Sequence, residues 1–180
     1  MSRIGFVEKP WPEAFAATAA KVAAPGKDPL GLFTAMGQDQ RALDRFIGSA
    51  VPAKGALDFR TREIVIDRTS ARTGCEYEWG IHTQLFAAKA GITPQQVRST
   101  FDGHADDGNW SARDAALIAT IDALLAHKRL NEAEFARVSE HFDTPALLEI
   151  IQLINFYHGV ALFTGAIALA NESGMAQFPE

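Results

Sequence analysis

The sequence predicts an all-α fold, a bundle of about seven helices joined by short loops. Three observations carry that prediction. Helix-start signatures recur at Asp28-Pro29, Thr93-Pro94-Gln95-Gln96, Ser111 to Asp114, Asn131 to Glu134 and Thr144-Pro145. Windows of helical length follow them or lie between them, and two of those between are closed by glycine, at Gly74 and Gly91. No convincing strand or hairpin appears anywhere. The chain is expected to divide into an N-terminal arm over residues 1–28 and a helical domain over residues 29–180.

The arm is rich in Ala and Pro and should hold a short helix from Pro12 to Val22. Asp28 as N-cap and Pro29 at the first helical position should open a helix running to about Ser49, with a loop at Pro52–Gly55. Asp58 to Thr73 needs a decision. Its Ile64-Val65-Ile66 run suits a strand. Yet the window holds no Gly or Pro, exceeds a usual strand and ends at Gly74, so a helix is expected. Cys75 to Ala90 is rich in helix formers apart from Gly80, and Gly91 stops it. Thr93 opens a short helix to about Thr100, and a Gly/Asp-rich loop follows from Asp102 to Asn109. The Ser111 helix should end near His127-Lys128-Arg129, where cations suit the helix dipole. Asn131 and Thr144 open the last two helices.

Composition excludes several classes. The 180 residues are 47% hydrophobic and 22% charged, enough for a sizeable core and against wholesale disorder. A net charge of −5 without a Lys/Arg cluster argues against nucleic acid. A single cysteine excludes an internal disulfide framework. The first fifteen residues lack an apolar signal region, so the cytoplasm is the expected location. Ile150 to Ala170 carries no Asp, Glu, Lys or Arg and is long enough to span a bilayer. Gln152, Asn155 and His158 would be costly in hydrocarbon, so a buried or subunit-contact helix is expected instead of a membrane span.

The chemistry concentrates in Thr73 to His82. On a helix, Cys75, Glu78 and His82 would share one stripe about 60° wide. Trp79 and Phe86 border the stripe, and Tyr77, Ile81 and Ala88 lie opposite. His82 can exchange protons near neutrality, and Glu78 one turn away completes an acid/base pair. Cys75 would gain thiolate character from the helix dipole and lose it to the neighbouring Glu76 and Glu78. The plainer alternative is a core cysteine and an ordinary i,i+4 pair. A metal is not expected: three ligands on two turns of one helix seldom close a site, and the Asp102–Gly108 loop lacks calcium-loop spacing. Arg60, Arg62, Arg68 and Arg72 read as a solvated face of the preceding helix.

Arg62-Glu63-Ile64-Val65-Ile66, then Thr73 to His82, then Ala88-Lys-Ala-Gly91-Ile-Thr93, together resemble the carboxymuconolactone decarboxylase-like superfamily, which includes the alkylhydroperoxidase D proteins. The resemblance covers about Leu30 to Thr100 and, more weakly, Ile154 to His158. It implies an alkylhydroperoxidase D-like all-helical oligomer, commonly a trimer or hexamer, with pockets near subunit contacts. The hydroperoxidase pattern is Cys-x-x-Cys-x-x-x-His with a glutamate twelve residues upstream. Cys75, His82 and Glu63 match it, and Glu78 replaces the second cysteine. The decarboxylase pattern keeps Glu78 and His82 and needs no cysteine.

The resemblance therefore implies catalytic roles for Glu63, Cys75, Glu78 and His82; Trp79, which borders the stripe, and Tyr157 and His158 of the last helix are the candidates at the substrate. The leading expectation is cofactor-free acid/base chemistry on a small carboxylated or lactone substrate, with His82 as proton shuttle. The alternatives are a thiol peroxidase using Cys75 with an external resolving thiol, and a non-catalytic oligomeric binding module. No cofactor, nucleic-acid partner or membrane is expected.

Overall fold

The computed structural model describes residues 2–52 and 54–180, so one residue of the arm and one of the Pro52–Gly55 loop lie outside it. Among the described residues there are nine helices and no strand. They are α1 Glu13–Val22, α2 Gly31–Met36, α3 Gln40–Gly48, α4 Phe59–Arg72, α5 Glu76–Leu85, α6 Pro94–Asp102, α7 Ala112–His127, α8 Glu132–Ser139 and α9 Thr144–Ile167. Side-chain caps form where the sequence signals them at Thr93, Ser111 and Asn131, and also at Asp58 and Asp143, which it does not single out. Asp58 accepts from Thr61 N, Ser111 from Asp114 N and Asp143 from Ala146 N. Thr93/Gln96 and Asn131/Glu134 form reciprocal capping boxes.

The axis of the fold is α4, which packs against α5, α6, α7 and α9. Every residue from Glu63 to Ser70 is buried. Helix-on-helix burial on all sides explains why the β-branched run Ile64-Val65-Ile66 is helical: packing overrides a weak local preference. The main core joins Ile64 and Val65 to Leu117, Ile118 and Ile121 of α7 and to Ile150 and Leu153 of α9. The arm is not detached. Phe15 and Ala19 of α1 pack with Met36 and Leu43 in a second core.

Two element boundaries differ from the sequence expectation. The helix expected from Asp28 to Ser49 is two helices. Gly37 passes so close to Phe15 that an added Cβ would lie 2.5 Å from its ring, and Asp39 recaps the chain by accepting from Arg41 N and Ala42 N. Asp28 does not cap at all; it bonds Lys9 Nζ at 2.6 Å, and Leu30 precedes α2 without a side-chain cap. The helix expected from Cys75 to Ala90 ends at Leu85, and a turn carries the chain to Gly91 at φ +67°.

The segment after α9 folds back over α5. Glu172 accepts from Tyr77 Oη at 2.5 Å and from Gly31 N at 2.6 Å, tying the tail to α5 and α2. Glu76 accepts from Phe178 N at 2.8 Å and from the Asn171 amide. Phe178 packs against Trp79 and Phe101.

Gly80 is the closest approach, because a Cβ there would sit 2.1 Å from Ala176 O. Gly80→Ala should therefore destabilise the chain by about 1–3 kcal/mol through overpacking and release the tail. Urea midpoints and tail amide exchange would read both effects. In a chain ending at Ala170 the sign should reverse, because Ala is the better helix former by about 1 kcal/mol.

Candidate active site

The cluster is built where α4, α5 and α9 meet. Glu63 projects from α4, Glu78 and His82 from α5, and Tyr157 from α9. Glu63 Oε2 lies 2.8 Å from His82 Nδ1. With Glu63 as a carboxylate, Nδ1 is the donor and Nε2 faces the other way. Tyr157 Oη lies 3.2 Å from Nε2, and Glu78 Oε2 is 3.6 Å from it. The Tyr157 and Phe86 rings flank the imidazole at centroid distances of 5.3 Å. The His82 side chain is only 13% exposed.

Burial and charge act against each other on these groups. Burial alone would push the His82 imidazole down, but the Glu63 bond and charge, then Glu78 and Asp67, more than offset it and hold it above its ordinary value. Burial pushes the Glu78 carboxyl up, against the pull of His82 and with a small addition from Glu172. The Tyr157 phenol is likewise raised, first by burial and then by Glu78 and Glu63. The cluster thus holds its protons to higher pH than exposed groups of the same types would.

Cys75 does not join this group. It is the N-cap residue of α5, with φ −86° and ψ 77°, so helical periodicity does not extend to its side chain. Its sulfur lies 3.4 Å from Thr164 Oγ1, among Leu32, Tyr77, Ile81 and Val160. Burial raises its thiol, and Thr164 with the backbone N–H groups of Glu78 and Tyr77 offsets this only in part. Burial, which the sequence reading does not weigh, is the largest influence on this thiol.

Two of the residues expected at the substrate are also placed elsewhere. Trp79 Nε1 donates to Thr100 Oγ1 at 3.0 Å, and its ring packs on Phe101 and Phe178. His158 lines a separate surface groove of about 210 Å³ with Arg72, Lys128 and Leu162. Tyr157 alone of the three touches His82.

The four arginines of α4 are not a solvated face. Arg60 pairs with Asp114 at 3.1 Å, Arg62 with Glu149 at 3.0 Å, and Arg68 and Arg72 with Asp122 at 2.6 and 3.2 Å. Their partners lie on α7 and α9, too distant in sequence for spacing to reveal them. The Asp102–Asn109 loop is closed on itself, since Asp107 accepts from Ser99 Oγ, His104 N and Asn109 N. Among the described residues no group of three or more His, Cys, Asp or Glu side chains is placed to hold a metal ion.

One acid in the cluster escaped the sequence reading. Asp67 lies one turn beyond Glu63 on α4, is fully buried, and has no hydrogen-bond partner on either carboxyl oxygen. The i,i+4 spacing from Glu63 was the available signal.

Comparison with known proteins bears on the fold. The description "Carboxymuconolactone decarboxylase family" matches residues 40–122, which span α3 to α7. No curated protein matches the chain. A solved structure of an uncharacterized peroxidase-related protein from Silicibacter sp. TM1040 superposes with a TM-score of 0.83 at 15% identity, over 99% of this chain and 96% of that one. An alkylhydroperoxidase AhpD core protein from Ralstonia eutropha JMP134 gives a TM-score of 0.83 at 17% identity, over 96% and 93%. The debrominase Bmp8, as a cysteine-to-alanine variant in complex with 2,3,4-tribromopyrrole, gives 0.72 at 16% identity, over 96% and 95%. Residues 40–122 are thus similar to the carboxymuconolactone decarboxylase family, and the chain as a whole has the alkylhydroperoxidase D-like helical fold.

Proposed function

We propose that this chain is an enzyme working by cofactor-free acid/base chemistry on a small carboxylated or lactone substrate, as a decarboxylase or a related lyase or isomerase. The observation that supports it is the division of labour around His82. Glu63 holds Nδ1 at 2.8 Å, while Nε2 is left beside Tyr157 and Glu78. An imidazolium fixed on one side by a carboxylate can give its other proton to a carbanion or enolate left by loss of carbon dioxide. Glu78 orients the imidazole or acts as the companion base. The Tyr157 hydroxyl is a neutral donor beside the same nitrogen.

The thiol peroxidase reading has less support. Peroxide chemistry needs a thiolate and a resolving partner. The chain has one cysteine, and that cysteine is buried with its thiol raised.

Turnover assays on carboxymuconolactone and related small lactone acids test the choice. Wild type and Cys75→Ser should turn over the same substrate equally, and neither should consume peroxide rapidly. Peroxide consumption that vanishes in Cys75→Ser, with no lactone turnover, would reverse the assignment.

The active form is proposed to be a homo-oligomer in the cytoplasm. The outer face of α9 supports self-association: Leu148, Ile151 and Leu162 are 56%, 41% and 67% exposed on a helix otherwise apolar enough to cross a membrane. Native mass spectrometry of wild type and Leu162→Glu should show an oligomer that the variant weakens.

A further inference from the structure

Three carboxyl groups and one imidazole share the interior between α4 and α5. Glu63 and Asp67 come from α4, and Glu78 and His82 from α5. Tyr157 faces them from α9. The nearby α4 cations are committed elsewhere, Arg62 to Glu149 and Arg68 to Asp122. His82 is thus the one group in the cluster able to carry positive charge. If all three carboxyls ionised, the surplus negative charge would sit in an apolar interior at high cost.

Geometry distinguishes the three. Glu63 holds the 2.8 Å bond to His82. Glu78 approaches the opposite nitrogen at 3.6 Å. Asp67 is sealed from solvent, 0% exposed, and neither oxygen has a partner. A buried carboxylate without a single donor is far costlier than a buried carboxylic acid.

We propose that Asp67 is a positioning residue for His82: a buried, proton-carrying acid whose proton occupancy is coupled to that of the imidazole. It touches no substrate. It acts on His82 through the charge the interior shares, and the role assigned to it rests on the acid/base reading of His82 above.

The coupling follows from electrostatics. Burial pushes the Asp67 carboxyl well up; positive charge on His82 pulls it down, and Glu63 pushes it further up. In return, an ionised Asp67 holds the His82 proton more tightly. Two groups that interact in this way titrate as a pair, in steps that belong to neither alone. As pH rises and Asp67 gives up its proton, the imidazolium is retained longer. The cluster then keeps its acid over a broader pH range than Glu63 by itself would give.

The same burial has a signed consequence for stability. A carboxyl whose folded value is raised binds more protons in the folded chain than in the unfolded one. Its stabilising contribution is complete below the unfolded value near 3.9 and is lost as pH rises through the folded value. Asp67 should therefore weaken the fold at neutral and alkaline pH, and an uncharged replacement should remove that weakness.

The test uses the full chain without substrate. Ring-nitrogen NMR should show His82 titrating over a broad range in wild type, and Asp67→Asn should sharpen the curve and lower its midpoint. Asp67→Asn should also gain in urea midpoint relative to wild type at pH 8 and not at pH 4. An unchanged His82 midpoint and slope would overturn the coupling, as would a loss of stability equal at both pH values.

Infrared spectra of wild type with carbon-13-labelled aspartate keep the proposal testable should the variant fail to fold. A protonated aspartate band persisting at pH 7 supports it, and absence of that band defeats it. Failure of these measurements leaves the His82 reading standing, whereas an active His82→Ala removes that reading without touching the titration.

Discussion

Replacing His82 with alanine is expected to lower turnover of the lactone or carboxylated substrate by about 10²–10⁴-fold, the usual share of a positioned general acid or base. The fold should survive, because the His82 ring sits at the edge of the cluster and α5 keeps Tyr77 and Ile81 in their own core. Loss should appear in kcat and kcat/KM together, as for a group that acts in the transition state. Circular dichroism and urea midpoints close to wild type would show that chemistry and not folding was lost. Retention of full turnover would remove the central assignment.

Glu63→Gln gives the companion result, with a definite sign. Glutamine can still accept from Nδ1 but carries no charge. Of the influences that hold the His82 imidazole up, the Glu63 bond and charge rank above Glu78 and Asp67. Without that charge, burial counts for more and the imidazole gives up its proton at lower pH. If the imidazolium is the acid, activity falls as pH rises through its value. The alkaline limb of the rate profile should therefore move toward acid in Glu63→Gln. A move in the opposite direction would mean that the neutral imidazole is the working form.

What the sequence could and could not reveal follows from the range of the interactions. Caps are local, so Thr93, Ser111 and Asn131 mark helix starts that the structure has at the same places. Glu78 and His82 are one helical turn apart, and periodicity alone brings them together. Cys75 fails the same argument because it lies before the first residue of α5. The break between α2 and α3 lies where Phe15 crosses Gly37, a contact that spacing cannot reveal. Glu63 was reached through resemblance, and its contact with His82 joins two helices. Asp67 was missed because an acid inside a charged-looking helix reads as exposed until the neighbours on every side are known.

Arg68 is the largest of those errors, and its replacement should have the largest effect on stability. The side chain is 0% exposed in a helix whose arginines look solvent-facing. Its Nε and Nη2 donate to Asp122 at 2.8 and 2.6 Å, Nη1 to Ser99 O and Thr100 O at 2.9 and 3.0 Å, and Nη2 to Gly103 O at 3.1 Å. The three carbonyls close the C-terminal end of α6, where the helix leaves acceptors without partners of its own. Arg68→Ala would strand those acceptors, leave Asp122 to Arg72 at 3.2 Å, and open a cavity beside α4. A loss of about 3–5 kcal/mol is expected, from the stranded carbonyls and the cavity together.

Arg68→Lys should recover only part of it, because an ammonium cannot reproduce the fork that spans Asp122 and the α6 carbonyls. Arg68→Met would fill space without any donor and should fall near alanine. The loss should persist in high salt, since screening acts on exposed charges. Lys9→Ala, at an ion pair whose side chains are 61% and 65% exposed, should cost only about 0–1 kcal/mol. Denaturant midpoints for the series at low and high salt would decide it, and an Arg68→Ala loss as small as that of Lys9→Ala would mean that α4 is not held to α6 and α7 by this guanidinium. Because α4 also carries Glu63 and Asp67, the same anchor fixes the height at which both acids meet His82.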